Sequence, residues 1–210
     1  METILIADDH EIVRRGVKTI VESLPQKYNY IEASTCTEVA QLLNTASIQY
    51  AVLDMFLADG MFFSAMQYVP ESNTRTNILV YSMSAEKIYA KRLMQKGVKG
   101  FVSKQSSIEE LEIAIRCLLK GEIYLSGSLK QNIFGANKPD VLTNPIDLLS
   151  DRELEVIEYI NTGIGTKEIA QKMNLDITTI STYRRRAFEK LDVDNMIELK
   201  EKFMFHKSQR

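Results

Sequence analysis

Short apolar segments alternate with amphipathic segments over the first 120 residues, and this alternation constrains the fold more than any other feature of the sequence. The apolar segments predict strands at residues 4–7, 30–34, 50–53, 78–81 and 100–102. Strands that are apolar along their whole length are typical of a parallel sheet that helices cover on both faces. The sequence therefore predicts an α/β domain with a five-stranded, parallel, doubly wound sheet.

The segments between these strands have apolar residues three and four positions apart, which is the spacing of an amphipathic helix. Ser107 and Glu110 also have the spacing of a capping box, which marks the start of a helix. The predicted helices lie at residues 12–24, 37–46, 61–69, 85–95 and 108–118.

The chain changes character after this region. Gly, Ser, Asn and Pro cluster between residues 121 and 147, which is typical of a linker, although 128–134 has the pattern of one or two helical turns. The last 60 residues show helical periods alone, and four short helices with a tight middle turn are typical of a helix-turn-helix unit. Helix starts are predicted by capping boxes at Ser150 with Glu153 and at Asn195 with Glu198, and by Asp176 as an N-cap. The predicted regions are a first domain at 1–122, a linker at 123–146 and an all-α domain at 147–210.

Composition limits the functions that this chain can have. It carries 26 Lys and Arg against 28 Asp and Glu, so binding to a polyanion requires a local basic patch. Cys36 and Cys117 are too few for a disulfide framework or a cysteine-only zinc site. The first apolar run has no basic leader, and no apolar run reaches the roughly 18 residues of a membrane span. We therefore expect a cytoplasmic protein without a membrane segment.

Polar side chains follow the predicted strands. Asp8 and Asp9 follow the first strand, Asp54 the third and Ser82 the fourth, and Lys104 lies just beyond the fifth. We expect them to meet, because the carboxyl ends of parallel strands lie at one edge, where such sheets bind ligands. Clustered carboxylates repel one another unless a cation compensates, which predicts a hard divalent ion, Mg²⁺. A metal, a lysine and a hydroxyl together suit a phosphoryl group, and Asp54 is the predicted nucleophile that becomes an aspartyl-phosphate.

Over about residues 1–125 the chain resembles the receiver domains of two-component response regulators of the NarL/FixJ subfamily. The similar segments are 5–10 followed by Arg15-Gly16, 52–55, 80–83 and 96–104. The resemblance implies a flavodoxin-like fold in which Asp54 accepts phosphate from a histidine kinase. It also implies that Asp9, Asp54 and the backbone carbonyl of Phe56 ligate Mg²⁺, while Asp8 acts through a bound water.

The same resemblance implies that Ser82 and Phe101 are a coupled switch pair and that Lys104 pairs with the phosphate. The sequence departs from the family pattern at two positions after the phosphoacceptor. Ala58 stands where the family usually has Pro, and Phe62 stands where Gly is common. We therefore expect this loop to be less rigid or differently folded.

Residues 178–191 predict a basic helix with two different faces. Its charged residues are Arg184, Arg185, Arg186 and Lys190 against Glu189. On a helical wheel the polar face carries Thr178, Thr182, Arg185 and Arg186. The apolar face carries Ile180, Ala187 and Leu191. A helix-turn-helix would present the polar face to the major groove of double-stranded DNA.

Segments 149–156, 167–170 and 179–181, together with Gly163 and Lys190-Leu191, resemble the LuxR-type helix-turn-helix over about residues 145–206. The resemblance implies that Ser181, Thr182 and Arg185 face the bases. It implies phosphate contacts for Lys167, Thr179 and Tyr183. The family often has Lys at position 181 and His at position 183, so the recognised sequence stays open. Because one such unit reads few base pairs, we expect dimers on half-sites roughly 10 base pairs apart.

We predict that this chain is a regulator of transcription and not an enzyme. The regulator is expected to form a homodimer when it is phosphorylated and then to bind DNA. A second hypothesis is a phosphatase of the haloacid-dehalogenase kind, but such an enzyme needs a general-acid Asp where this chain has Phe56. A third is a DNA-binding regulator with an atypical receiver that does not depend on phosphorylation, which Ala58 keeps open. A fourth is a protein–protein adaptor whose terminal helices no longer bind DNA.

Overall fold

The computed structural model describes residues 1–62, 76–84, 86–127 and 145–208. The chain divides into two compact units, Met1–Asn137 and Lys138–Arg210. Most of the predicted linker, including the helical turns predicted at 128–134, lies outside the described residues. The predicted domain boundaries therefore stay a prediction.

The first unit is built on a parallel sheet. In chain order its strands are β1 (Thr3–Ala7), β2 (Asn29–Ala33), β3 (Tyr50–Leu53), β4 (Phe56–Leu57), β5 (Gly60–Met61), β6 (Asn77–Ser82) and β7 (Gly100–Ser103). Five of them form one sheet in the order β2-β1-β3-β6-β7, and every neighbouring pair in it is parallel. β4 and β5 form a separate antiparallel pair. The predicted α/β fold with a five-stranded parallel sheet is confirmed.

The sheet is held by apolar side chains on its strands. All four residues of β3 are buried, as are four of the five residues of β1. Ile6, Val52 and Leu79 lie side by side in register on β1, β3 and β6 and belong to one buried cluster. Each fully buried aliphatic side chain contributes about 1.5–3 kcal/mol relative to an exposed one. This central burial explains why the apolar runs predicted the strands closely.

The described helices of this unit are α1 (Glu11–Glu22), α2 (Cys36–Thr45), α3 (Glu86–Gln95) and α4 (Ile108–Leu119). Ser107 Oγ accepts a hydrogen bond from Glu110 N at 3.3 Å, as expected for the start of α4. The helix predicted at 61–69 is wrong at its first residue, because Met61 pairs with Phe56 in the β4–β5 hairpin. Residues 63–69 lie outside the described residues.

Gly100 lies where the chain returns to the sheet after α3, at the start of β7. Tyr124 forms an isolated parallel bridge with Gly100, and Tyr124 N donates to Lys99 O at 2.8 Å. A Cβ atom at position 100 would lie 3.0 Å from Tyr124 Cβ, Tyr124 O and Leu79 Cδ1. We expect Gly100→Ala to lower the free energy of unfolding by about 1–3 kcal/mol, as overpacked sites do. Urea denaturation measures this change.

Gly16→Ala is the matched control for that substitution. Gly16 lies in α1, and nothing is within 4 Å of the Cβ that alanine would add there. Alanine at position 16 should stabilise the protein by up to about 1 kcal/mol, because it favours the helix more than glycine does. Equal stability of the Gly100→Ala variant and the wild type would show that Tyr124 yields to the added methyl group.

The second unit is helical. A 3₁₀ helix (Pro145–Leu148) precedes α5 (Asp151–Asn161), α6 (Thr166–Met173), α7 (Ile177–Leu191) and α8 (Met196–Ser208). The predicted four-helix arrangement is confirmed. Asn174, with a φ of 50°, ends α6 in the left-handed conformation and allows the tight turn into α7. No helix in the described ranges is both long enough and apolar enough to cross a membrane.

The helix starts in this unit largely follow the predicted caps. Ser150 and Glu153 form the predicted reciprocal capping box at the start of α5. Asn195 Oδ1 accepts a hydrogen bond from Glu198 N at 3.0 Å before α8. Asp176 occupies the N-cap position of α7, but its side chain makes no capping hydrogen bond. The prediction that Asp176 caps α7 is therefore correct in position and wrong in the contact.

Candidate functional site

Backbone hydrogen bonds bring polar residues together at the carboxyl edge of the sheet. Asp54 N donates to Ala7 O at the end of β1, at 2.8 Å. Lys104 N donates to Ser82 O at the end of β6, also at 2.8 Å. Each bond ties the residue that follows one strand to the last residue of a neighbouring strand. Asp8, which follows Ala7, therefore lies in the same pocket as Asp54 and Lys104.

Lys104 bridges the two buried carboxylates of this pocket. Its Nζ lies 2.5 Å from Asp8 Oδ2 and 2.6 Å from Asp54 Oδ2. Asp8 is only 2% exposed and Asp54 7% exposed. Burial acts to lower the pKa of Lys104, but its hydrogen bonds with Asp54 and Asp8 outweigh burial and leave the pKa raised. Lys104 is therefore charged at neutral pH and offsets part of the negative charge.

Asp9 lies on the solvent side of the pocket. His10 N donates to Asp8 Oδ1 at 3.0 Å, and His10 Nδ1 lies 2.7 Å from Asp9 Oδ1. Asp8, Asp9 and His10 thus form a cluster whose possible metal-ligand atoms lie within 4.8 Å of one another. This cluster differs from the predicted ligand set, since it includes His10 and leaves out Asp54. Asp8 and Asp9 belong to both groups.

The donor set decides which of the two groups suits a metal ion. Carboxylate oxygens are the ligands that Mg²⁺ prefers, whereas an imidazole nitrogen is typical of transition metals. The Oδ2 atoms of Asp8 and Asp54 already converge on one cation, the ammonium group of Lys104. A pocket that gathers carboxylate oxygens around positive charge fits a hard divalent ion. Phe56 lies beside it, and its N–H donates to Asp54 Oδ1 at 3.3 Å.

The two predicted switch residues lie inside the unit. Ser82 and Phe101 are each 1% exposed. Ser84 N donates to Ser82 Oγ at 3.4 Å, so the hydroxyl has a partner in the loop after β6. Phe101 on β7 stands opposite Val80 on β6, and Val80 is two residues before Ser82 on β6. The structure therefore places both residues on adjacent strands.

The loop after Asp54 folds as the β4–β5 hairpin, which explains both departures from the family pattern. Ala58 N donates to Ser34 O at 3.2 Å, and proline at this position would lack that N–H. Phe62 is fully buried, and its N donates to Met55 O at 2.7 Å. The expectation of a differently built loop is consistent with this hairpin, which replaces the stiffness of proline with hydrogen bonds.

Asp59 is a residue of this loop that the sequence did not single out. Its Oδ1 accepts from Cys36 N at 2.5 Å, and its Oδ2 accepts from Thr37 N at 3.0 Å and from Thr37 Oγ1 at 2.7 Å. Burial acts to raise the pKa of Asp59, but these hydrogen bonds outweigh burial and lower it. Asp59 thus ties the loop next to Asp54 to the first turn of α2.

A second candidate surface lies on α6 and α7 of the helical unit. The predicted apolar face of α7 is buried, at Ile180, Ala187 and Leu191. The residues predicted to contact DNA lie elsewhere on α7 or at the start of α6. Those exposed are Lys167, Ser181, Arg185 and Arg186. Those partly buried are Thr179, Thr182 and Tyr183.

Arg185 and Lys190 on α7 form ion pairs with acidic residues in different surroundings. Arg185 Nη1 lies 2.6 Å from Glu189 Oε1 on the exposed face, so the guanidinium is restrained but remains accessible. Lys190 Nζ donates to Glu153 Oε2 at 2.7 Å, and Glu153 is buried. Burial acts to raise the pKa of Glu153, but Lys190 and Ser150 outweigh it and lower the pKa. Lys190 therefore fastens α7 to α5.

A parallel sheet with this acid–lysine pocket, followed in the chain by a helix-turn-helix unit, defines a class of signalling proteins that act on DNA. The sequence pattern of the response regulator receiver domain matches residues 4–116, and that of the bacterial regulatory proteins of the luxR family matches residues 147–202. The chain belongs to the response regulators of the NarL/FixJ type. Regulation that depends on phosphorylation is the norm in this family.

Two relatives align with this chain over nearly its whole length. The chain is 28% identical over 200 residues to the response regulator UvrY of Escherichia coli strain K12, covering 95% of this chain and 92% of that protein. It is 30% identical over 205 residues to the oxygen regulatory protein NreC of Staphylococcus haemolyticus, covering 94% of each. A similar solved structure is RcsB of Salmonella enterica serovar Typhimurium bound to promoter P1flhDC in the presence of the phosphomimetic BeF₃⁻. The two structures have a TM-score of 0.72 and 25% sequence identity, and the match covers 99% of this chain and 98% of that one.

Proposed function

We propose that this chain is a cytoplasmic transcription regulator that accepts a phosphoryl group on Asp54 from a histidine kinase. The observation that carries this proposal is the buried arrangement of Asp8, Lys104 and Asp54, in which one ammonium group contacts both carboxylates. An isolated buried carboxylate is costly, and a pair is retained only with compensating charge. In this role the chain carries the phosphoryl group itself and does not turn over a separate substrate.

In the proposed reaction a carboxylate oxygen of Asp54 attacks the phosphorus of a phosphohistidine. The O–P bond forms as the N–P bond breaks, and the electron pair of the N–P bond stays on the imidazole, which leaves. Lys104, already 2.6 Å from Asp54 Oδ2, donates to a phosphoryl oxygen. Mg²⁺ held by Asp9, Asp54 and the Phe56 carbonyl, with Asp8 acting through water, would neutralise charge on the phosphoryl oxygens.

We further propose that Ser82 and Phe101 transmit the event. The Ser82 hydroxyl turns from its loop partner towards the phosphoryl group, and the Phe101 ring follows into the vacated space. Both side chains begin fully buried on adjacent strands, which is the placement that such a coupled movement requires. A bias of a few kcal/mol between the two arrangements is sufficient to shift the population.

The output in this proposal is a homodimer on double-stranded DNA. Lys167, Thr179 and Tyr183 contact phosphates, while Ser181, Thr182, Arg185 and Arg186 lie along the major groove. The promoter complex of RcsB supports this use of the helical unit. The proposed division of the chain keeps a receiver at 1–122, a linker at 123–146 and a DNA-binding domain at 147–210.

Treatment with acetyl phosphate and Mg²⁺ tests the proposal. We expect intact-mass spectrometry to show the gain of one phosphoryl group per chain and light scattering to show a shift to dimers. A chain that gains no phosphoryl group, yet binds its DNA site as a dimer, would instead support the regulator that does not depend on phosphorylation.

Arg185→Ala should weaken specific DNA binding. An arginine that reads a guanine with two hydrogen bonds contributes about 1–3 kcal/mol of discrimination, so the preference for the selected site should fall roughly 5- to 150-fold. Fluorescence anisotropy on a selected and a scrambled duplex measures it. Lys172→Ala, on a partly buried lysine near the end of α6, is the control and should preserve the preference. Unchanged discrimination by Arg185→Ala would contradict the role of Arg185 in base recognition, and a wild type that prefers neither duplex would support the adaptor hypothesis.

Phe56→Asn should shorten the life of the phosphorylated form. Phe56 follows Asp54 by two residues, beside the path that attacking water would take, and an apolar side chain there hinders water. A polar amide of smaller size admits it, so we expect faster loss of phosphate after the donor is removed. The decay of the phosphorylated mass over time measures this rate, and an unchanged lifetime would contradict the role of the Phe56 side chain.

A further inference from the structure

Arg14 on α1 makes hydrogen bonds to the loop after β1 and to strand β2. Its Nη1 donates to the backbone carbonyl of Asp8 at 2.8 Å, and its Nε donates to Glu32 Oε2 at 2.8 Å. The Arg14 side chain is 16% exposed and that of Glu32 is 39% exposed, so the bond to the Asp8 carbonyl is the better shielded of the two. Charge-assisted bonds of this kind are stronger than neutral ones. Arg14 therefore links the loop after β1 to Glu32 on β2.

Asp8 is held at each of its polar groups by a different partner. His10 N donates to Asp8 Oδ1, and Lys104 contacts Asp8 Oδ2. Asp8 N donates to Ala33 O, while the carbonyl of Asp8 is left for Arg14. His10 belongs to the same loop, and Lys104 contacts the carboxylate alone. Arg14 is thus the residue of α1 whose side chain holds the main-chain carbonyl of Asp8 in place.

The main chain at Asp8 matters for more than one side chain. Asp8 and Asp9 are consecutive, so the peptide group whose carbonyl Arg14 holds is the one that joins them. A rotation of this peptide would move both carboxylates relative to Asp54. Glu32 fixes the orientation of the guanidinium, because the Nε and Nη1 donors belong to one rigid plane.

We propose that Arg14 is a positioning residue for the Mg²⁺ site, which acts by holding the peptide between Asp8 and Asp9. The inference rests on the proposed function of the acidic pocket and extends it to a residue outside that pocket. Groups that orient metal ligands without touching the metal typically change its affinity about 10- to 100-fold when they are removed. Arg14 has no place in the phosphoryl transfer itself.

The test compares Arg14→Met with the wild-type full-length chain. Isothermal titration with MgCl₂ should show a dissociation constant about 10-fold or more higher in the variant. With acetyl phosphate as donor, the Mg²⁺ concentration for half-maximal phosphorylation should rise by a similar factor, while the rate at saturating Mg²⁺ stays unchanged. A role in folding alone would lower the melting temperature and leave the Mg²⁺ affinity as it is.

Arg15→Met is the matched control. Arg15 is the next residue, its side chain is 72% exposed, and it pairs with Glu11 at 2.6 Å on the helix surface. We expect its Mg²⁺ affinity to equal that of the wild type. Arg14→Lys keeps the charge but lacks the planar pair of donors, so its affinity should stay low. Recovery of wild-type affinity in Arg14→Lys would show that charge, rather than position, is what matters.

Glu32→Gln keeps the shape of the acceptor and removes its charge. Its Mg²⁺ affinity should fall less than that of Arg14→Met, and the double variant should be no weaker than Arg14→Met, because both changes act through one contact. Equal Mg²⁺ affinity of the wild type, Arg14→Met and Arg14→Lys would overturn the inference and leave the proposed function intact. If the wild type itself neither binds Mg²⁺ nor becomes phosphorylated, the proposed function fails.

Discussion

Asp54→Asn is expected to abolish phosphorylation of the chain by acetyl phosphate. An amide is not a nucleophile for this reaction, and the remaining acids of the pocket are placed differently: Asp8 is held by His10 N and Lys104, and Asp9 lies towards solvent. The fold should persist, because this substitution still leaves Asp8 and Lys104 as a balanced pair. Intact-mass spectrometry after incubation with acetyl phosphate and Mg²⁺ measures the result.

Asp59→Asn provides the comparison for this loss. Asp59 lies five residues further on, but its carboxylate faces Cys36 and Thr37 at the start of α2 rather than Lys104. The Asp59→Asn variant should lose some stability and still gain the phosphoryl group. A phosphorylated Asp54→Asn protein would show that a different side chain accepts the group.

Lys104→Met should be the most destabilising substitution in the pocket. Without the ammonium group, Asp8 and Asp54 face each other as buried carboxylates with no compensating charge. Removal of one partner from a buried charge cluster typically costs about 3–5 kcal/mol. We expect added Mg²⁺ to restore much of this loss, so that the rise in melting temperature with Mg²⁺ is larger in the variant than in the wild type.

Lys27→Met, on an exposed lysine of the first unit, is the control and should respond to Mg²⁺ as the wild type does.

The raised pKa of Lys104 also makes the stability of the fold depend on pH. A lysine has a pKa of about 10.4 in an unfolded chain, so the stabilisation is fully present below that pH and is lost as the pH rises through the higher pKa of the folded state. If Lys104→Met unfolds at the same denaturant concentration as the wild type, the bridge contributes nothing.

The sequence predicted the sheet and the pocket well because both depend on local patterns. The apolar runs around Ile6, Val52 and Leu79 form strands that are mostly buried, and such runs are distinctive in a sequence. Asp8, Asp54 and Lys104 follow strand ends, so a parallel sheet brings them together whatever the details of the loops. The apolar face of α7 followed in the same way from the spacing of Ile180 and Ala187.

The contacts that were missed depend on distance along the chain. The carboxylate of Asp59 reaches Cys36 and Thr37 across 22 or 23 positions, and Arg14 reaches Glu32 across 18. No period or motif predicts such pairs. The helix predicted from Met61 begins inside the β4–β5 hairpin, because strands of two residues are too short to show alternation in the sequence. Asp176 has the residue type of a helix cap but not the contact, which sequence alone cannot distinguish.

The most direct test of the account is the DNA affinity of the full-length chain, measured by anisotropy on a selected duplex with and without acetyl phosphate and Mg²⁺. We expect the phosphodonor to tighten DNA binding by the wild type and to leave DNA binding by Asp54→Asn at its unphosphorylated level. Equal tightening in both proteins, or tightening in neither while the wild type carries the phosphoryl group, would contradict the claim that Asp54 controls DNA binding.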